Sequence, residues 1–177
     1  MSGTTSVRAR GRPRAEAARE VVDRPHEPLR RWQRALAFAV LVLAIGGMGL
    51  SAYLVYENLQ GQSGVCAVVH GCQTVQQSRY GKILGVPVSV PGLLGYTVLA
   101  AFAVGYLRNF RDLRSQIVPL AFLATLIGFL FSVYLTYIEG WVLESWCIYC
   151  IVSASLMTIL FAGWTALLVA EERARRN

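Results

Sequence analysis

Charge is what this sequence has least of. Asp, Glu, Lys and Arg make up 15% of its 177 residues, where a soluble domain carries about a quarter. A hydrophobic share of 55% and a mean hydropathy of +0.46 exclude a disordered chain and argue against an ordinary soluble enzyme. The length suits one domain. Between Ala35 and Ala170 the only basic side chains are Arg79, Lys82, Arg108, Arg111 and Arg114, so the net charge of +7 belongs mainly to the two tails. No segment alternates apolar and polar residues with a period of two, which argues against a transmembrane barrel. No Ala-x-Ala cleavage site follows the first apolar run. Its basic preamble and its apolar stretch are both too long for a signal peptide, so it reads as an anchor.

Four stretches are long enough to cross the hydrocarbon, which takes roughly 20 apolar residues. They are Ala35 to Tyr56, about Val88 to Leu107, Ile117 to Ile138, and Cys147 to Ala170. Backbone groups in lipid must pair internally, so each is expected as a helix. The expected fold is an all-α integral membrane protein: a four-helix transmembrane bundle over residues 32–170, with a tail at 1–31 and another at 171–177. With four crossings both tails share one side. Arg8, Arg10, Arg12, Arg14, Arg19, Arg24, Arg30, Arg31 and Arg34, the Arg108–Arg114 loop, and Arg173, Arg175 and Arg176 place 15 of the 17 basic residues on that side. The excess assigns both termini to the cytoplasm of a multi-pass cell-membrane protein, inner or plasma membrane. The loops Glu57 to Pro87 and Glu139 to Trp146 then lie outside. The tail before Arg31 reads as disordered. It could attract anionic headgroups or nucleic acid, but its plainer role is to set orientation, and no nucleic-acid partner is expected.

The sequence has only four cysteines, and all fall on the outer side: Cys66, Cys72, Cys147 and Cys150. That is the oxidising side, where disulfides persist. Cys66-Ala-Val-Val-His-Gly-Cys72 forms one pair and Cys147-Ile-Tyr-Cys150 the other. The second pair opens a helix, so its sulfurs share one face a turn apart. The orphan N–H groups there favour a thiolate, and such a pair cycles readily. Cys147 is expected to face the aqueous loop and Cys150 to sit deeper. The first pair lies among Gly61, Gly64 and Gly71, in a loop expected to be mobile enough to meet a soluble protein and then Cys147.

Other readings of the four thiols carry less. Two static staples would make poor use of a short Cys-x-x-Cys loop. A zinc site would show tight spacing in both pairs, so no metal is expected. Unrelated thiols would not share one side in an even count. The pattern that remains is two pairs that exchange electrons.

A thiol pair at a membrane surface can deliver electrons to a lipid-soluble acceptor, of which a quinone is the obvious two-electron example. Its site should be apolar and adjacent to Cys150. Tyr96, Phe129, Phe131, Tyr134 and Tyr137 supply rings, although packing accounts for such rings in any helical bundle. Gly46, Gly47 and Gly49 suit close helix approach. Ser89, before Val90-Pro91-Gly92, either caps the second helix or donates a hydrogen bond to a thiolate or quinone oxygen. His70 could tune a thiol or simply be solvated.

These residues together resemble a known family. Four spans, the Cys66-x5-Cys72 pair, the run GKILGVPVSVPGLLGY from Gly81 to Tyr96, and CIYC at Cys147–Cys150 are similar to the bacterial homologues of vitamin K epoxide reductase, over about residues 32 to 170. DsbB-type proteins share the plan but carry both cysteine pairs in loops. The resemblance implies a disulfide-generating enzyme with Cys66, Cys72, Cys147 and Cys150 as its redox residues. A secreted thioredoxin-fold, DsbA-like protein would reduce the loop pair; Cys66 meeting the partner and Cys72 meeting Cys147 is the preferred of two orders that the spacing leaves open. Cys150 would reduce a bound quinone, menaquinone or ubiquinone, beside Ser89. A short half-helix, about Gln73 to Tyr80, would cap the bundle. Many bacterial relatives fuse a thioredoxin-like domain after the fourth span. This chain stops at Asn177, so the partner is expected in trans. Ala154 stands where the vertebrate enzymes have a quinone-binding Tyr. Two alternatives remain: reduction of a quinone epoxide, and a non-catalytic scaffold with static disulfides.

Overall fold

The computed structural model describes residues 30–60, 75, 78–83, 85–108 and 114–176. The basic stretch 1–29, the cysteines Cys66 and Cys72 with His70, and Arg111 lie outside the described residues.

Four long helices form the expected bundle: α1 Arg31–Gln60, α2 Ser89–Leu107, α3 Arg114–Tyr137 and α4 Ile148–Arg176. All four are long and apolar enough to cross a membrane. Their ends run past the apolar limits read from the sequence. α1 starts at Arg31 and continues to Gln60, and α4 continues beyond Ala170 to Arg176. Once a helix is nucleated, each further residue adds a hydrogen bond, and Glu171, Glu172, Arg173 and Ala174 are good helix formers.

The helices close into a ring in which α1 packs on α2 and α4, and α3 packs on α2 and α4. α1 turns Gln33, Ala37, Val40, Ala44, Gly47 and Ser51 inward, a seam that advances by four and three residues and so stays on one face. Against it come Tyr96, Leu99, Ala103 and Tyr106 of α2, Ile117, Val118 and Ala121 of α3, and Leu160, Trp164 and Leu167 of α4. Outward faces keep large apolar groups exposed, among them Phe38, Leu94, Ile127 and Leu130. In a bilayer lipid covers such faces. Trp32 is exposed at the end of the bundle where α1 begins, and Tyr56, Tyr137, Trp141 and Trp146 at the other, as interfacial aromatics are.

Of the three glycines expected to draw α1 against a neighbour, one does so. A Cβ on Gly47 would stand 2.4 Å from the Tyr96 ring, whereas Gly46 and Gly49 face open space. The Tyr96 ring lies across α1 at Gly47, and its hydroxyl meets the Ser153 carbonyl oxygen at 3.1 Å and the Ser153 Oγ at 2.9 Å. That single side chain ties α1, α2 and α4 together.

The end of the bundle that carries the arginines is tied by one half-buried polar group. Glu171 Oε1 on α4 accepts a hydrogen bond from Tyr106 of α2 at 3.1 Å and one from Arg114 Nε of α3 at 3.0 Å, with Arg114 Nη2 completing an ion pair. The guanidinium also lies 5.2 Å from the Tyr106 ring centroid, within cation–π range.

The described parts of the connections at the opposite end are specific. Within the segment expected as a half-helix, Val75 and Ser78 to Tyr80 are described. Ser78 caps a 3₁₀ turn, Arg79–Gly81, by accepting from Gly81 N–H at 3.1 Å, and its hydroxyl donates to the Val75 carbonyl at 2.7 Å. A two-stranded hairpin follows, β1 (Lys82–Ile83) and β2 (Val86–Pro87), paired antiparallel. Its turn uses Gly85 at φ +85°, a left-handed value that glycine adopts without steric cost. α3 does not simply end at Tyr137. It widens into a π turn over Ile138–Val142, closed by Leu143 N–H to the Ile138 carbonyl at 2.9 Å.

Gly47→Ala is expected to lower stability by about 1–3 kcal/mol, because the Tyr96 ring is held from both sides and cannot yield freely. Gly46→Ala, facing open space, is expected to cost nothing measurable. Thermal unfolding of the two variants in detergent checks the difference.

Candidate functional site

Cys147 stands at the N-cap of α4, its carbonyl accepting the Ile151 N–H at 3.0 Å. Cys150 follows one turn along, and the two thiols lie in contact without a disulfide between them. The sequence expectation that Cys147 faces water does not hold. Cys147 is 0% exposed, packed under Val75 with Leu143, Tyr149 and Cys150. The half-buried Cys150 is the sulfur that opens onto a cavity. The reason is the chain that precedes them. The π turn and then Glu144, at a left-handed φ of 47°, fold the connection back on itself. Ser145 N–H reaches the Glu139 carbonyl at 3.1 Å. Cys147 is thereby drawn inside rather than left on the loop.

What receives Cys147 there is Glu139, a residue to which the sequence reading gave no role. Its side chain is 2% exposed, Oε2 accepts the Cys147 backbone N–H at 3.2 Å, and Oε1 is buried without a hydrogen-bond partner. The same carboxylate meets the Cys150 thiol. A signal was present: an acid at the end of an apolar span, eight residues before Cys147. Nothing in the linear pattern said that it turns inward. On the far side of the pair, the Tyr149 ring packs on Tyr53 of α1 at 6.1 Å, and Tyr53 donates to the buried Glu57 at 2.5 Å.

The cavity beside Cys150 has a volume of about 580 Å³ and a mostly apolar wall, within the size range of small-molecule sites. Tyr96 and Ser153 line it together with Phe131 and Leu99, and Ser89, Glu139 and Cys150 lie around it. Of the five rings singled out in the sequence, Tyr96 and Phe131 therefore reach it. Phe129 instead stacks on Phe161 at 5.2 Å, and Tyr134 and the Trp141-stacked Tyr137 are exposed on the outside of the bundle.

Ser89 is not the helix cap. Val88 holds that position, without a side-chain cap hydrogen bond, and Ser89 begins α2 itself. Its Oγ is buried in the cavity wall with no hydrogen-bond partner. A buried hydroxyl left unpaired is costly, and a ligand carbonyl would satisfy it. The wall and this hydroxyl fit a flat apolar ring that bears a carbonyl acceptor. Ala154 also lines the cavity and brings no polar group to it. Among the described residues no group of three or more His, Cys, Asp or Glu could hold a metal ion.

Compared with known protein families, the chain matches the model of the vitamin K epoxide reductase family over residues 38–164, more than two thirds of its length.

With Cys66 and Cys72 replaced by Ser, a small membrane-permeant maleimide is expected to label Cys150 well ahead of Cys147. Val75→Ala is expected to raise Cys147 labelling several-fold and leave Cys150 unchanged. Mass spectrometry of the labelled peptides reads both rates.

Proposed function

The chain belongs to the vitamin K epoxide reductase family and is a multi-pass membrane oxidoreductase; on that premise we propose that it makes disulfide bonds, passing electrons from a reduced thioredoxin-fold, DsbA-like protein to a membrane quinone. The observation that carries this reading is Cys150 in the wall of an apolar cavity that also holds the unpaired Ser89 hydroxyl.

A quinone supplies a two-electron, two-proton acceptor that dissolves in lipid. Ser89 Oγ would hold it by donating to a carbonyl oxygen, and Cys150 is the sulfur beside it. The arginine-rich end of the bundle faces the cytoplasm in this proposal, by the positive-inside rule. The cysteine end then faces the compartment where disulfides persist.

Electrons enter through the loop pair. A thiolate of the partner attacks the Cys66–Cys72 disulfide, and a mixed disulfide forms. The partner's second thiol resolves it, which leaves the partner oxidised and the loop pair reduced. The loop pair then reduces the Cys147–Cys150 disulfide by the same exchange. Cys72 lies three residues before Val75, which packs on Cys147. Three extended residues reach about 10 Å, which is the reach by which Cys72 meets Cys147 in this proposal. Burial under Val75 keeps Cys147 from other thiols in the meantime. Cys150 closes the cycle as the new disulfide forms with Cys147 and two electrons leave for the acceptor.

The test is thiol trapping in isolated membranes. All four cysteines are reduced, the reductant is removed, a quinone is added without oxygen, and alkylated thiols are counted by mass shift. Wild type is expected to lose free thiols and Cys150→Ala to keep them. Ser89→Ala is expected to raise the quinone concentration for half-maximal rate about ten-fold, the worth of one hydrogen bond. Thiols that stay reduced in wild type would overturn the proposal in favour of static bridges. Turnover on a quinone epoxide with a dithiol, but not on a quinone, would overturn it in favour of cofactor recycling.

A further inference from the structure

Glu139 is unexplained by the path just described. Removing a carboxylate from water is costly unless it is paired, yet this one is 2% exposed with Oε1 unpartnered. No described residue in the cavity wall it shares with Cys150 is an Arg, Lys or His. The other carboxylate buried at this end, Glu57, is occupied by Tyr53, and Glu144 is exposed. The titratable groups around Glu139 are Cys147 and Cys150 of α4, with Tyr149 of α4, Tyr80 of the 3₁₀ turn and Tyr96 of α2 along the same wall. A buried acid with no cation among the described residues of its cavity wall, beside the Cys150 thiol and opening onto the cavity, is placed to move a proton.

We propose that Glu139 is the proton acceptor for the Cys147–Cys150 dithiol: Oε2 holds the start of α4 through the Cys147 N–H, and the carboxylate takes the Cys150 proton as the disulfide forms. The inference rests on the proposed quinone chemistry. Oxidation of the pair breaks two S–H bonds, forms one S–S bond, and releases two electrons and two protons. The electrons go to the quinone, and the protons end as its two hydroxyl hydrogens. Glu139 takes the first proton from Cys150, gaining an O–H bond, and releases it into the cavity. The regenerated carboxylate then takes the proton of Cys147. Without an acceptor at this place, the thiol must lose its proton inside an apolar wall.

Glu139→Gln separates this role from a structural one. The amide oxygen still accepts the Cys147 N–H, so the start of α4 stays in place, but the amide takes no proton. Full-length wild type and E139Q, each with Cys66 and Cys72 replaced by Ser, are compared by two readouts. The first is the single-turnover rate of Cys147–Cys150 oxidation by a short-chain ubiquinone or menaquinone. The second is the rate at which N-ethylmaleimide alkylates Cys150 with no quinone present.

E139Q is expected to slow oxidation about 100-fold or more. It is expected to speed alkylation several-fold, because a negative charge beside a thiol that must ionise has been removed. Opposite changes support the proposal, since a loss of packing does not produce them. Oxidation at the wild-type rate in E139Q overturns the proton role and leaves the proposed function standing. Both rates falling together overturns it in favour of a positioning role. A wild type that quinone does not oxidise overturns the proposed function, and this inference with it.

Discussion

The hydrogen bond from the Cys147 N–H to the Glu139 carboxylate joins the last turn of α3 to the first turn of α4. Much of the cysteine end is arranged around it. The π turn and the left-handed Glu144 exist at a conformational cost, and their effect is to bring the chain back so that this bond can form. The bond draws Cys147 beneath Val75 and leaves Cys150 at the cavity. One sulfur is thus covered by the segment that leads back to the loop pair, and the other opens toward the membrane interior. Two thiols a single helical turn apart therefore have different neighbours.

The bundle beneath is divided in the same way. Its arginine-rich half is filled by Trp164, Tyr106, Leu160 and Leu167 and tied by Glu171 between Tyr106 and Arg114. Its other half is hollow. Tyr96 stands at the boundary, seated on Gly47 and bonded to Ser153 one turn below Cys150. Its ring closes the packed core, and its edge forms part of the cavity wall. Lipid contributes no hydrophobic drive between helices, so closeness of fit and a few buried polar contacts hold them. A hollow at one end is affordable where the other is packed this closely.

The spans, the helical class and the place of Cys147 and Cys150 at a helix start were legible because they depend on local composition and spacing. A run of 20 apolar residues has few ways to exist in a bilayer, and Cys-x-x-Cys at a helix start needs no tertiary information to place two thiols on one face. The family resemblance rested on the same spaced residues, and the match over residues 38–164 agrees with it. The inward face of each helix was not legible. Soluble helices reveal it by a polar opposite side, but these helices are apolar all round, so Gly46, Gly47 and Gly49 looked alike and the five aromatic rings could not be ranked.

Local composition and spacing dictate the solvent and the class: a lipid-embedded four-helix chain whose four cysteines stand as Cys66-x5-Cys72 and Cys147-x2-Cys150. Which side chains meet is a matter of packing between the helices. Ser89 had the look of a cap and is a buried, unpaired hydroxyl. Cys147 had the look of an exposed sulfur and is covered. Glu139 had the look of a loop acid and lies against both cysteines. The reason is common to all three. Burial of a polar group in a bundle depends on how the ends of separate helices fold back on one another, through contacts that no periodicity along one helix records.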